Sequence, residues 1–371
     1  MTTSQGAEIT FDIQPSPHPV PPAERDPKLA DPAFGRVFTD HMITIRWTAE
    51  HGWHDARLKP YGPLTLDPAT SVFHYAQEFF EGLKAYRQAD GSVAAFRPWA
   101  NAARFNGSAR RLVMPELPED AFVRAIELLV TQDRDWVPAG EDHSLYLRPF
   151  MIATELGIGI SKPAQSCLFM IIASPAGRYF TGGIKPVSVW LSQDYTRAAP
   201  GGTGATKCGG NYAGGFIGQQ EALEHGCDQV VWLDAAERRW VEEMGGMNMF
   251  FVYGSGPQAR IVTPPLSGTI LAGVTREAIL TLAPDLAIPA VEEKISVEQW
   301  QADCASGAIT EVFACGTAAA ISPIGQVKSA SSGWTIGDGQ PGPVMLRLRE
   351  ELLGLQYGSR PDPYGWVHKI C

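Results

Sequence analysis

The chain carries no block of lysine and arginine. Of its 371 residues, 30 are Lys or Arg and 40 are Asp or Glu, which gives a formal net charge of −10. Nucleic acid is therefore not an expected partner, and the acidity serves solubility. No apolar run approaches the roughly 20 residues that a membrane-spanning helix needs. The longest extends only from Cys167 to Ala173, so no membrane partner is expected. Paired cysteines are missing too. The six stand singly at 167, 208, 227, 304, 315 and 371, which points to reduced thiols in a cytoplasmic protein. His51 and His54 lie close together, but no cysteine or carboxylate cluster accompanies them, and no metal is expected. Residues 1–5 lack the basic-then-apolar pattern of a signal peptide.

Two phosphate motifs are absent as well. A P-loop needs glycine directly before its lysine and Ser or Thr after it; here Thr206 precedes Lys207 and Cys208 follows. In a dinucleotide fingerprint begun at Gly202, the third glycine falls on Lys207. What is present is a lysine inside a loop of five glycines, Gly201 to Gly210, with Tyr212 five residues beyond it. Glycine lets backbone approach a ligand closely. A lysine held in such a loop is open to desolvation, which turns its amine into a nucleophile. The plain alternative is a surface loop with a solvated lysine.

With 44% hydrophobic and 19% charged residues, the composition is that of a globular protein with a large core. Seven prolines between Pro15 and Pro32 predict an extended, partly disordered arm over residues 1–32. A smaller domain is expected over 33–175, a Pro/Gly-rich linker over 176–187, and a larger domain over 188–371. In the first, strands and a turn are expected over 71–95, a helix opening at Pro98, and a helix over 119–136 whose Phe122, Ile126, Leu129 and Val130 recur at helical spacing. Strands are expected over 145–152 and 166–174, with an exposed aliphatic loop from Glu155 to Ile160 between them. The second half reads as a strand at 187–191, a helix over 212–225 stopped by Gly226, and a strand at 229–233. One strand interrupted at Gly245-Gly246 follows, then a helix after Gly273, a strand at 311–314 and a helix opening at Pro343. This mixture implies an α/β or α+β protein in two halves.

A lysine-bound aldehyde cofactor such as pyridoxal phosphate needs an acid beside its ring nitrogen, a phenol near its ring oxygen, and amides, hydroxyls or an arginine around its phosphate. Each requirement has a candidate, and each candidate has a structural alternative. Tyr212 offers the phenol, or simply begins a helix. Glu243 offers the acid, or is an edge glutamate like Glu242. Gly273-Val274-Thr275 and Gly316-Thr317-Ala318 offer amides and hydroxyls, although threonines at helix starts are mostly structural. Arg104 offers a clamp, or is solvated.

The ordered blocks Phe34–Met42, Phe80–Tyr86, Phe96–Pro98, Tyr146–Pro149, Gly209–Tyr212, Glu243–Gly245 with Asn248, Gly273–Arg276 and Phe313–Thr317 resemble those of the branched-chain amino acid aminotransferases. These are two-domain pyridoxal 5′-phosphate enzymes of fold type IV, with a D-amino acid aminotransferase-like fold. The resemblance spans nearly the whole chain, from Phe34 to Val367. It implies that Lys207 carries the cofactor and shuttles the proton, that Tyr212 bonds the ring oxygen, and that Glu243 pairs with the ring nitrogen. Arg104, the amides of Val274 and Thr275, and Thr317 are implied around the phosphate. Tyr75 with the Thr317 and Ala318 amides is implied for the substrate carboxylate. Phe34, Phe80, Tyr146 and Tyr179 are implied for an apolar side-chain pocket, and Arg148 for the second carboxylate of glutamate. Family members are homodimers in which a loop of one subunit closes the other's pocket; Ile158 and Ile160 match that loop, or else pack within their own domain.

Two departures stand out. Ala319 and Ser322 occupy the positions of the thiol pair found in animal members, so no thiol switch is expected. Gly246 replaces a threonine that some members place near the ring. The implied reaction exchanges the amine of L-leucine, L-isoleucine or L-valine with 2-oxoglutarate in two half-reactions at one site. A D-amino acid aminotransferase or an aminodeoxychorismate lyase on the same scaffold is the nearest rival. A non-catalytic binder of phosphate ligands is the rival from another class.

Overall fold

From Arg148 onward the strand Ser144–Ala153 alternates half-buried and buried residues, the period of two expected of a sheet covered more fully on one face. It lies inside a nine-stranded sheet. In spatial order the strands are Phe11–Ile13, Gly52–Pro60, His41–Thr48, Ser166–Ala176, Ser144–Ala153, Leu83–Arg87, Val93–Phe96 and Val367–Lys369, with Glu78–Phe80 also beside Ser144–Ala153. The computed structural model describes residues 9–140, 142–177 and 184–371. The chain divides into two units, Met1–Arg178 with Pro363–Cys371, and Tyr179–Asp362.

In the first unit the helices Pro98–Arg111 and Glu119–Gln132 pack on each other and on the sheet. Pro98 occupies the helix start, where its missing N–H costs nothing. Glu119 and Asp120 in the first turn of the second helix complement its dipole. Their inner faces meet the sheet through Phe79, Phe105, Phe122 and Phe169, all fully buried, with ring centroids 4.5 to 6.0 Å apart. Truncating one such ring costs about 3–5 kcal/mol.

Four expectations need correction. The arm over residues 1–32 is not simply extended: Phe11–Ile13 runs parallel to Gly52–Pro60, and Pro22–Ala30 is a helix. Distant side chains take its backbone donors. Ser16 N–H donates to His41 Nε2 (2.8 Å), which leaves the ring proton on Nδ1 to donate to Asp133 (2.5 Å), and Val20 N–H donates to Asp40 (2.9 Å). Asp133 also accepts from His41 N–H (3.1 Å), and the helix expected over 119–136 stops at Gln132, followed by a short 3-10 turn. Residues 363–371 join the first unit rather than the second, because Val367–Lys369 pairs with Val93–Phe96. Finally, 241–253 is not one interrupted strand. Val241–Met244 and Met247–Tyr253 form an antiparallel hairpin around Gly245-Gly246, with Met244 opposite Met247. Gly245 has φ of +56°, as a two-residue hairpin turn requires.

The second unit holds another nine-stranded sheet. Val241–Met244, Gln229–Leu233, Val187–Leu191, Ala320–Lys328, Ile309–Gly316 and Met247–Tyr253 follow in order, and the last pairs back to the first. The circuit closes as a six-stranded barrel, which leaves those strands no free edge. Leu191, Val231, Met249, Phe251, Ile324 and Trp300 belong to one buried cluster. The helix Gly209–Glu224 packs outside on Gln229–Leu233. It begins three residues earlier than expected from Tyr212. Among the described residues no helix is long and apolar enough to cross a membrane.

Candidate active site

Strand register gathers the barrel residues that matter at one end. Leu191 lies beside Val231, Val231 beside Met244, Met244 beside Met247, and Asn248 beside both Glu243 and Cys315. The loop after Val187–Leu191 leads over this end to Lys207. Asn211 holds that loop shut. Its amide donates to the carbonyls of Thr203 and Thr206 (2.8 Å each) and its oxygen accepts from the Thr203 hydroxyl (2.7 Å). Gly204 is needed for a close approach, since a Cβ there would sit 2.4 Å from the Thr269 backbone. Lys207 is half-buried, and its Nζ lies 2.9 Å from the hydroxyl of Tyr212, in the first turn of the following helix.

Glu243 is 1% exposed. The hairpin sets Asn248 opposite it, and Asn248 Nδ2 donates to Oε1 (3.1 Å) and to the Leu271 carbonyl (2.9 Å). The Leu271 N–H also donates to Oε1 (3.2 Å). Oε2 lies 2.9 Å from Arg197 Nη1, yet the contact is an ion pair by distance only. It misses hydrogen-bond alignment, so a buried acceptor is left open. Burial pushes the Glu243 carboxyl up to about 7, against the opposing pull of Arg197, the Leu271 amide and Lys207. Three residues beyond Leu271, the helix Val274–Asp285 begins with Val274 and Thr275 buried. Thr317 and Ala318, with Ala319, form the turn between Ile309–Gly316 and Ala320–Lys328. A Cβ on Gly316 would stand 3.2 Å from Met247 Cγ, so this turn adjoins the hairpin.

The second unit thus brings together Lys207, Tyr212, Glu243, the helix start at Val274-Thr275 and the Thr317-Ala318 turn. Among the described residues no group of three or more His, Cys, Asp or Glu side chains is placed to hold a metal.

The first unit assembles a different group. Tyr146 and Arg148, two apart on one strand, share a face. The Arg148 guanidinium stacks 4.7 Å above the Phe80 ring and 5.4 Å from the Tyr146 ring, and it donates to the Tyr146 hydroxyl (3.2 Å). Phe34 meets Tyr146 edge-on at 4.9 Å. Gly82 makes room for Tyr146, whose hydroxyl would lie 2.0 Å from any Cβ there. Tyr75 donates to the carbonyl of Ile158. The side chains of Ile158 and Ile160 are 68% and 79% exposed, so they do not pack within their own unit. Arg104 is not solvated. It grips the fully buried Glu81 at 2.6 and 2.8 Å, and any phosphate it met would share it with that carboxylate. Tyr179 lies outside the described residues.

Residues 78–327 match the family model for amino-transferase class IV. The chain belongs to the class IV aminotransferases, among the branched-chain amino acid aminotransferases. It is 59% identical to a probable branched-chain-amino-acid aminotransferase of Streptomyces coelicolor over 363 residues, 98% of this chain and 99% of that one. A solved branched-chain amino acid aminotransferase of Escherichia coli superposes with a TM-score of 0.72 at 26% identity, covering 88% of this chain and 99% of that one. Another, from T.th. and solved with pyridoxamine 5′-phosphate, gives 0.72 at 28% identity and covers 88% and 98%.

Arg197, Thr269 and Leu271 surround the candidate active site of this aminotransferase without having been signalled by its sequence. Arg197 sits in no motif, and Leu271 contributes only a backbone N–H. Asn248 could have been singled out, because it closes one of the blocks that carry the resemblance.

Proposed function

We propose that this chain transaminates L-leucine, L-isoleucine and L-valine with 2-oxoglutarate, yielding the branched-chain 2-oxo acids and glutamate. The observation that carries the reading is the buried Glu243 with one oxygen open, in the same unit as the Lys207–Tyr212 pair. Pyridoxal 5′-phosphate fits this donor set: an amine to join it, a phenol beside the amine, an acceptor for a protonated ring nitrogen, and a helix start for its phosphate. When bound, the cofactor draws electrons from the substrate α-carbon. Lys207 would hold it, and its Nζ would carry the α-proton from the substrate α-carbon to the cofactor C4′ within the first half-reaction and in the reverse direction within the second. Tyr212 orients Nζ through the 2.9 Å contact. Glu243 accepts from the ring nitrogen. The amides of Val274 and Thr275, the Thr317 hydroxyl and Arg104 hold the phosphate.

Phe34, Phe80 and Tyr146 offer ring faces suited to a branched aliphatic side chain, and Tyr179 is assigned with them. A methylene more or less changes binding by only about 1–3 kcal/mol, so the three substrates are poorly separated. Arg148 serves the second carboxylate of glutamate, and Tyr75 with the Thr317 and Ala318 amides serves the α-carboxylate. The chain acts as a homodimer, in which the exposed Ile158 and Ile160 are covered by a second copy. It acts in the cytoplasm; six free cysteines suit a reducing compartment.

The test is a stereospecific substrate panel with both half-reactions followed in absorbance. Turnover of the three L-amino acids with 2-oxoglutarate is expected. Turnover confined to D-amino acids, or release of pyruvate from aminodeoxychorismate instead, would overturn the proposal.

A further inference from the structure

We propose that Arg197 is a positioning residue, whose guanidinium favours the anionic form of Glu243 and ties it to the loop that carries Lys207. The inference rests on the role assigned above to Glu243. Arg197 is 9% exposed, and Nη1 is 2.9 Å from Glu243 Oε2. The same guanidinium donates to the Thr269 carbonyl (2.9 Å) and to the Gly204 carbonyl from both terminal nitrogens (3.3 and 3.2 Å). Gly204 is three residues before Lys207. Thr269 is two before Leu271, whose amide holds the other Glu243 oxygen. One buried cation therefore joins the lysine loop, the approach to the helix Val274–Asp285, and the carboxylate.

The chemistry needs such a cation. A carboxylate stripped of water and left unpaired takes up a proton. A protonated Glu243 would have an O–H to donate and would not neutralise a protonated ring nitrogen. The ionisable groups that act on Glu243 are Arg197, Lys207, Glu242 and the Cys315 thiol. Glu242 has the wrong sign. Burial raises the Cys315 thiol and keeps it neutral. Lys207 is committed to the cofactor. Arginine alone keeps its charge throughout. Its planar fork also spans the three segments, which the point charge of a lysine cannot do.

Full-length Arg197→Met and Arg197→Lys variants test this, with Glu243→Gln to identify the Glu243 signal. The first readout is the infrared carboxyl band of cofactor-stripped protein, titrated with pH. In Arg197→Met the Glu243 band should persist to higher pH, as an acid weakened about tenfold or more. Arg197→Lys should restore most of the lost acidity. The second readout is the kcat–pH profile of holoenzyme, whose ascending limb should move to higher pH in Arg197→Met and return toward the parent position in Arg197→Lys. Should Arg197→Met fail to fold, Arg197→Gln replaces it in both titrations. Glu243 titrating as in the parent in the Met or Gln variant, or as weakly in the Lys variant as in the Met, would overturn the proposal. The infrared titration needs neither cofactor nor turnover. An altered Glu243 acidity in a chain that lacks transaminase activity would condemn the functional reading and leave the Arg197 contact standing.

Discussion

The barrel end and the aromatic face of the first unit hold their polar residues by different physics. Around Glu243 and Lys207 nearly every contact is directional: Asn248 and Leu271 to Oε1, Lys207 Nζ to the Tyr212 hydroxyl, Asn211 to the loop carbonyls. Most of these groups are buried, and their strands are locked in register. Around Arg148 the contacts are ring faces at 4.7 to 5.4 Å and one hydrogen bond, and Phe34 is half exposed. Directional bonds fix an atom, whereas stacked rings fix only a surface. The first suits a group that moves a proton. The second suits the role proposed for it, a surface that accepts an aliphatic side chain and a carboxylate in turn.

If that contrast is right, changes at the barrel end should hurt every substrate alike, and changes on the aromatic face should discriminate between substrates. Lys207→Ala is expected to show the largest effect, a loss of about 10⁴-fold or more in both half-reactions, read by single-turnover absorbance. Residual turnover that differs between leucine and 2-oxoglutarate would blur the contrast. Arg148→Ala should slow the 2-oxoglutarate half-reaction about tenfold to a hundredfold, the worth of a charge-assisted hydrogen bond, while the leucine half-reaction changes little. Equal losses would make Arg148 a packing residue only. Gly82→Ala forces Tyr146 aside, since its hydroxyl lies 2.0 Å from the new Cβ. An overpacking cost of about 1–3 kcal/mol is expected in thermal melts, with a raised KM for branched substrates and a smaller change in kcat. Gly246→Thr should do least. Its Cβ would stand 3.4 Å from the Tyr212 ring and 3.7 Å from the hydroxyl, ordinary contact distances, and turnover should fall less than about tenfold.

What could be read from the sequence follows the same division. Lys207 and Tyr212 are five residues apart on either side of a helix start, and Glu243 precedes a glycine pair. Short separations of that kind leave a local mark. The helices opening at Pro98 and Pro343 and the strands around 145–152 and 187–191 were equally visible, because periodicity and turn residues are local properties. Arg197 was not visible. Its partner carboxylate lies far along the chain, and nothing in Tyr195-Thr-Arg197 distinguishes a buried cation from a solvated one. The N-terminal segment was misread for a related reason. Its prolines suggested an extended arm, but its order comes from Asp40, His41 and Asp133, side chains that only the fold brings near. The return of Val367–Lys369 to the first sheet was hidden in the same way, since three residues carry no readable pattern.

The most direct measurement is a peptide map of freshly prepared holoenzyme after borohydride reduction. A pyridoxyl adduct on Lys207, and on no other lysine, is the predicted result. An adduct on a different lysine, or none at all in protein that still transaminates, would contradict the account.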